Sequence, residues 1–340
     1  MALYPWLISS WERLRAQKRR LPNALMLYGP KGVGCFRLAR AFVASLFCTN
    51  SDAQGFACGH CRACSQIQFE SHPDVRFIVP ENARARLGLP LRETKSKAKP
   101  SREILIGQIR SLREVWSLSS YYGGARIVLI YPAESIRAEA AAALLKTMEE
   151  PPEGCHFVLV TEDLDRVLPT IRSRSRLFRV PMPHRADVLP WLRERGVKDA
   201  SGRLHLVGGA PLFALEEARQ GLLSVAEEEG LIALLRAGSQ STVARMLAAY
   251  QKTWTSHVVY FYLSRWYHDL LRVKDGLTPR YYPKEAGVML QLVGPVSRIS
   301  LWQAQREFIA NKRWLDHPLN RQQFFEGVWL RYVRALLTRG

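Results

Sequence analysis

Apolar residues along this chain follow two periods, and the alternation between them lays out its first half. Leu7, Trp11 and Leu14 recur at i, i+4 and i+7, which predicts a short amphipathic helix. Pro22 then precedes Ala24-Leu25-Met26-Leu27-Tyr28, an unbroken apolar run of strand length. A glycine-rich turn follows, and Phe36, Ala39, Phe42, Val43 and Leu46 then mark a helical stripe from Phe36 to Phe47. Strands are predicted again at Val75–Val79, Arg126–Tyr131, His156–Thr161 and Arg176–Val180. Helices are predicted between them at Ile104–Leu118, at Glu134–Glu150, stopped by Pro151-Pro152, and briefly at Val167–Ile171. Strands that alternate with helices imply an α/β fold, a parallel sheet covered on both faces. Pro181 and Pro183 mark a boundary, and from about Gly221 onward the pattern is helical throughout.

At 340 residues the chain is long enough for two or three domains. Apolar residues make up 47% and charged residues 23%, as in ordinary soluble proteins. No apolar run reaches the ~18 residues of a membrane span, so no membrane association is expected. The first residues show no basic segment leading into an apolar one, which predicts a cytoplasmic protein.

Charge changes this picture. Forty-nine Lys and Arg against 30 Asp and Glu give a net charge of +19. Such a balance points to a polyanion, most often nucleic acid, or to a solvated basic surface; charge alone leaves both readings open. Arg84 to Arg102 carries seven basic residues and one acidic one among small residues and prolines, which predicts a flexible basic loop.

The chemistry concentrates in three places. Gly29-Pro30-Lys31-Gly32-Val33-Gly34-Cys35-Phe36 sits between a predicted strand and a predicted helix, the setting of a phosphate-binding P-loop. That motif needs Lys and then Ser/Thr after its last glycine, to contact phosphate and ligate Mg²⁺. Cys35 and Phe36 stand there instead. Three readings remain: weak nucleotide binding through backbone N–H groups, architecture alone, or Lys31 acting for the missing Lys, which its place before Gly34 disfavours. The acidic pair that such a motor carries at the end of a central strand is also missing, since Ile130 is followed by Tyr131-Pro132. Glu134 could take over, although it reads as a first-turn helix residue.

Cys48, Cys58, Cys61 and Cys64 form C-x9-C-x2-C-x2-C. Four thiolates so close in sequence suit a closed tetrahedral Zn²⁺ site that pins a loop; unmetallated thiols or an iron–sulfur centre are the alternatives. Cys35 and Cys155 read as small buried residues. Arg172-Ser173-Arg174-Ser175-Arg176 is either a basic helix end or the carrier of an arginine finger, a guanidinium offered to a neighbour's γ-phosphate. The aromatic run Val258–Leu263 with Trp266-Tyr267 reads as helix packing rather than base stacking.

Together these stretches resemble the delta-prime subunit family of the bacterial DNA polymerase III clamp loader, over nearly the whole chain. The likeness rests on Pro5-Trp6-Leu7, the loop Gly29–Gly34, the four cysteines, Gly123-Gly124-Ala125-Arg126-Ile127-Val128, Ala143-Leu144-Leu145-Lys146-Thr147-Met148-Glu149-Glu150-Pro151-Pro152, Arg172–Arg176 and Leu319-Asn320-Arg321. Ser175 stands where the family commonly has Cys. The resemblance implies an AAA+ core with an inserted zinc module over 1–181, a small helical lid over 182–222 and an all-helical collar over 223–340. It implies a non-catalytic subunit without intrinsic ATPase, whose relic loop (Gly29, Pro30, Gly32, Gly34, Cys35, Phe36) holds no cofactor. Arg174 would act in trans on the ATP site of a motor subunit, and Cys48, Cys58, Cys61 and Cys64 would hold structural Zn²⁺. The implied partners are gamma/tau motor and delta subunits in a hetero-pentamer, the sliding clamp and primer–template DNA. The rival readings are an active gamma/tau-type ATPase subunit, against which the lost loop residues argue, and a stand-alone zinc- and DNA-binding protein.

Overall fold

The computed structural model describes residues 3–91, 99–112, 124–221, 223–240, 245, 248, 254–315 and 321–338. Residues 92–98 of the basic stretch, the second half of the helix expected over 104–118, Gly123 and Leu319-Asn320 lie outside the described residues. The chain divides into two compact units, Met1–Trp191 and Leu192–Gly340.

The first unit is built on five parallel strands: β1 (Ala24–Tyr28), β2 (Val75–Ile78), β3 (Arg126–Ile130), β4 (Cys155–Thr161) and β5 (Arg176–Arg179), in the order β2-β3-β4-β1-β5. Leu25 stands opposite Val158 of β4 and Arg176 of β5, so β1 lies inside the sheet. Its helices are α1 (Ile8–Arg15), α2 (Cys35–Phe47), α3 (Arg62–Gln68), α4 (Ile106–Arg110), α5 (Ala138–Glu149) and α6 (Pro169–Ser173). Alternate strand residues serve opposite faces. Ala24, Met26, Val128, Ile130, Phe157 and Leu159 pack with Ala140, Leu144 and Met148 of α5. Their neighbours Leu25, Leu27, Leu129, Val158 and Val160 are equally buried, as a sheet covered on both faces requires. The expected α/β class, a parallel sheet with the cysteine module inserted between α2 and β2 and helices after it, is the observed one.

Two local expectations change. Pro5–Leu7 is a 3₁₀ turn, and α1 begins only at Ile8. Glu134 lies on a separate 3₁₀ turn, Ala133–Ser135, and α5 starts at Ala138. The interruption is Ile136, which is extended (ψ 120°), bridges to Ile104 and buries its side chain. A buried β-branched residue pairing across the chain outweighs the helix propensity around it. The basic stretch also contains a structural residue. Arg84 is buried, paired with Glu70, and donates through Nε to Pro90 O at 2.7 Å.

Helix α7 (Arg185–Glu194) spans the boundary between the units. The second unit continues with α8 (Ala200–Leu206), α9 (Pro211–Gln220), α10 (Val225–Ala237), α11 (Ser256–Lys274), α12 (Ala286–Val293), α13 (Arg298–Ala310) and α14 (Arg321–Leu337). The aromatic helix is α11, and its rings form core: Tyr262, Trp266 and Tyr267 are fully buried. Trp266 Nε1 donates to Tyr332 Oη at 2.9 Å, and that hydroxyl donates to Leu235 O at 2.7 Å, which gives two buried polar groups partners. Asp269, also fully buried, accepts the backbone N–H groups of Arg280, Tyr281 and Tyr282 at 2.7–2.8 Å. Among the described residues no helix is long and apolar enough to cross a membrane.

Candidate functional site

The glycine loop connects β1 to α2, as a phosphate loop does. Gly34 caps α2 with φ 102°, a conformation that favours glycine, and a side chain there would meet the Tyr4 ring at 3.0 Å. A Cβ on Gly29 would lie 2.5 Å from Val180 O and 2.9 Å from Cys35 Sγ. The Cys35 thiol is therefore folded back against the loop. Burial pushes it up to about 12, so it stays protonated and unreactive. Lys31 is exposed.

Phe36, at the position of the Mg²⁺-ligating hydroxyl, is buried. Its ring lies 4.9 Å from that of Tyr131, the residue at the end of β3 where the acidic pair is missing. Two losses far apart in sequence thus meet in space, and aromatic carbon fills the place between them. Glu134 does not restore the site. It accepts Thr161 Oγ1 at 2.7 Å and Glu162 N at 3.4 Å, fastening the end of β4. Glu162 is held above the usual carboxylate range by burial, reinforced by the nearby Glu134 and opposed by a hydrogen bond from Tyr131 and by Lys31 and Arg86. A carboxylate that resists ionisation beside an aromatic pair is a poor host for phosphate and metal together.

The N-terminal segment closes the loop from another side. Trp6 Nε1 donates to Val33 O at 2.9 Å, Tyr4 stacks on Trp6 at 4.9 Å, and Trp191 meets both rings edge-on. Arg37 lies over the Tyr4 ring at 4.7 Å. Pro5-Trp6-Leu7 was visible in the sequence as a motif. Its hydrogen bond to the loop was not, because the two segments are 27 residues apart.

The four cysteines come together. The Sγ atoms of Cys48, Cys58, Cys61 and Cys64 all lie within 4.8 Å of one another, and the Cys58 and Cys64 sulfurs are 4.0 Å apart. Sulfurs at about 2.3 Å from a tetrahedral metal would be roughly 3.8 Å apart, so a small closure of the cluster fits an ion. Backbone N–H groups are already aimed at the sulfurs: Cys58 N to Cys48 Sγ at 3.2 Å and Cys61 N to Cys58 Sγ at 3.3 Å. Such bonds favour thiolates. The Cys58 thiol is lowered by hydrogen bonds from the backbone of His60 and Cys61. Burial pulls the Cys61 thiol up, but hydrogen bonds, chiefly from the backbone of Cys64 and Thr49, bring it down to about 6. All four cysteines are free of disulfides. The group can hold a metal ion, with soft donors and no position left for water.

Arg174 follows α6 and is exposed. Its Nη2 meets Glu149 Oε1 at 2.6 Å, and its Nη1 donates to Thr170 O at 3.2 Å. Neighbouring Arg172 reaches Asp165 at 4.0 Å. Glu149 belongs to the Ala143–Pro152 stretch, and sequence reading had given it no part beside Arg174.

A family model described as "DNA polymerase III, delta subunit" matches residues 7–184. This chain belongs to that family. Curated relatives agree: it is 34% identical over 225 residues to DNA polymerase III subunit delta' of Pseudomonas aeruginosa, covering 65% of this chain and 62% of the relative. With the Escherichia coli subunit delta' identity is 32% over 63% of this chain and 60% of the relative. With that of Bacillus subtilis it is 32% over 47% and 42%. The chain thus spans about three fifths of the length of the first two relatives. Among solved structures, a DNA polymerase III gamma subunit-related protein of Thermotoga maritima is 17% identical, with a TM-score of 0.39 over 95% of this chain and 99% of the other. The family match covers the sheet, the loop, the cysteines and Arg174.

Proposed function

We propose that this chain is a non-hydrolysing delta-prime subunit of a cytoplasmic clamp loader. It acts as a fixed ring member whose chemistry is exerted on a neighbour. The observation that carries this reading is the Phe36–Tyr131 ring pair, which occupies with carbon the place where an active motor assembles hydroxyl, acid, Mg²⁺ and phosphate. Residues 1–181 serve as the AAA+ core, 182–222 as the lid and 223–340 as the collar that joins gamma/tau motor and delta subunits into a hetero-pentamer. Arg174, held by Glu149 at the surface, stabilises charge developing on the γ-phosphate bound by the adjacent motor subunit, a role worth 10³–10⁵ in rate where it has been measured. The cysteine cluster binds structural Zn²⁺, which supplies no reaction step and fixes the loops between α2 and β2. The assembled loader opens a sliding clamp and places it on primer–template DNA.

The test is ATP turnover by the purified chain alone and in an assembled loader. No turnover alone, with DNA-stimulated turnover of the assembly lost on Arg174→Ala while the ring stays intact, is the expected result. Sustained turnover by the chain alone, surviving repurification, would overturn the reading.

A further inference from the structure

Charge on the first unit is unevenly distributed. From Ile8 to Ser51 the sequence holds eight Lys and Arg and one acid, Glu12; from Arg166 to Ala186 it holds six Arg and no acid. The fold brings these two stretches together. β5 is the last strand of the sheet order, and α1 lies against it. Arg13 Nη2 donates to Arg179 O at 2.7 Å, and its guanidinium sits 5.0 Å from the centre of the Phe178 ring. At the other end, the 3₁₀ turn Ala16–Arg20 leads in five residues to Leu25, the register partner of Arg176. Arg13, Arg19 and Arg20 thus form a row about 13 Å long at ordinary helix rise, and Arg176 lies toward its far end on the face of β5 that carries Phe178, while Arg179 projects to the other face. Arg13, Arg19, Arg20 and Arg176 are all exposed, and none is ion-paired with a described carboxylate.

The row is held by a built scaffold. Trp11 Nε1 donates to Gln54 O at 3.1 Å, and its ring stacks on Phe56 at 4.5 Å. Lys18 turns inward, donating to Ser45 O and Gly55 O at 3.0 and 3.3 Å. The cation that could float is thereby removed, and arginines are what remain outside. Their planar forks match phosphate oxygens in a bidentate way, which an ammonium does not.

We infer that the Arg13–Arg20 segment and the β5 edge form a nucleic-acid backbone site on this chain, taking the phosphates of duplex DNA without reading its bases. The strip spans about four base-pair rises at 3.4 Å each. The site stands without the ring assignment: a chain that fails to join a loader still binds duplex through it.

The experiment is fluorescence anisotropy of the full chain with a blunt 20-bp duplex between 50 and 200 mM KCl. Each phosphate contact contributes about 0.9 to the slope of log K against log salt. The variant R19E/R20E/R176E should therefore show a slope shallower by about 2–3 and an affinity at 50 mM at least tenfold weaker, with an unchanged thermal melt. R19Q/R20Q/R176Q should move the same way by less, which guards against an effect of added negative charge on folding. R110E, on an exposed arginine of α4 outside both charged stretches, should leave the slope within 1 of wild type. Strip variants that keep the wild-type slope and affinity would overturn the proposal. So would a wild-type chain that binds labelled polyglutamate through these arginines and no duplex, since the face would then belong to an acidic protein.

Discussion

Glu149 Oε1 lies 2.6 Å from Arg174 Nη2 and joins the C-terminal turn of α5 to the end of α6. A half-exposed ion pair of this kind adds little to stability. Its value is positional, because it sets where an otherwise mobile guanidinium points. If Arg174 is the proposed finger, Arg174→Ala should leave folding and assembly intact while cutting ATP turnover at the adjacent motor site by about 10³. Arg174→Lys should recover little of this, since an ammonium cannot reproduce the planar fork. Glu149→Gln should give a smaller loss, visible in single-turnover hydrolysis by the assembled loader. Turnover equal to wild type in Arg174→Ala would remove the finger assignment.

The relic loop invites a repair experiment. Writing Cys35→Lys and Phe36→Thr back into the chain restores the motif in sequence, yet Tyr131 still lacks an acid and Glu134 is already engaged by Thr161. The double variant is expected to show no ATP turnover. It should also melt earlier, because Phe36 is buried against Tyr131. Truncating a buried Phe costs about 3–5 kcal/mol. Urea denaturation compared with wild type checks the cost, and a coupled ATPase assay checks the activity. Measurable turnover would mean that the phosphate site was disarmed at the loop alone.

Much of this was legible in the sequence because it depends on short spacing. The five strands, the loop and the four cysteines are each local patterns, and the structure keeps them within a residue or so. What escaped were relationships that fold across distance. Phe36 and Tyr131 are 95 positions apart in numbering and could be judged only as separate losses. Glu149, inside the helix predicted over Glu134–Glu150, had no visible link to Arg174 until α6 brought the two together. Ile136 broke the helix expected from Glu134 because its burial beside Ile104 is a tertiary fact. Arg84 looked like part of a mobile basic run until Glu70, 14 residues earlier, gave it a buried partner.

The cysteine cluster predicts one metal ion per chain. Purified protein should release one equivalent of Zn²⁺ on denaturation in a chromogenic chelator. Cys61→Ser should bind less than a tenth of that and melt several degrees lower, because metal binding contributes directly to the folding of such modules. Affinity should fall as pH drops, since protons compete for the sulfurs. A metal-free wild type with the same melting temperature as the metal-loaded protein would show that the cluster is thiols alone.

Glu162 offers a pH test with a definite sign. Burial raises its carboxyl above the ordinary value of 4.5 in the folded chain. The folded state therefore binds this proton more tightly than the unfolded state. Its contribution to stability is fully present below pH 4.5 and is lost as pH rises through the folded value. At pH 7–8 the ionised group is a burden, and Glu162→Gln, neutral at every pH, should melt higher than wild type. The advantage should shrink on acidification and vanish near pH 4, where both side chains are uncharged. Differential scanning calorimetry of the two proteins across this range reads the effect directly. A Gln variant that melts lower than wild type at pH 8 would mean that the charge of Glu162 is held by Lys31 and Arg86 strongly enough to outweigh its burial.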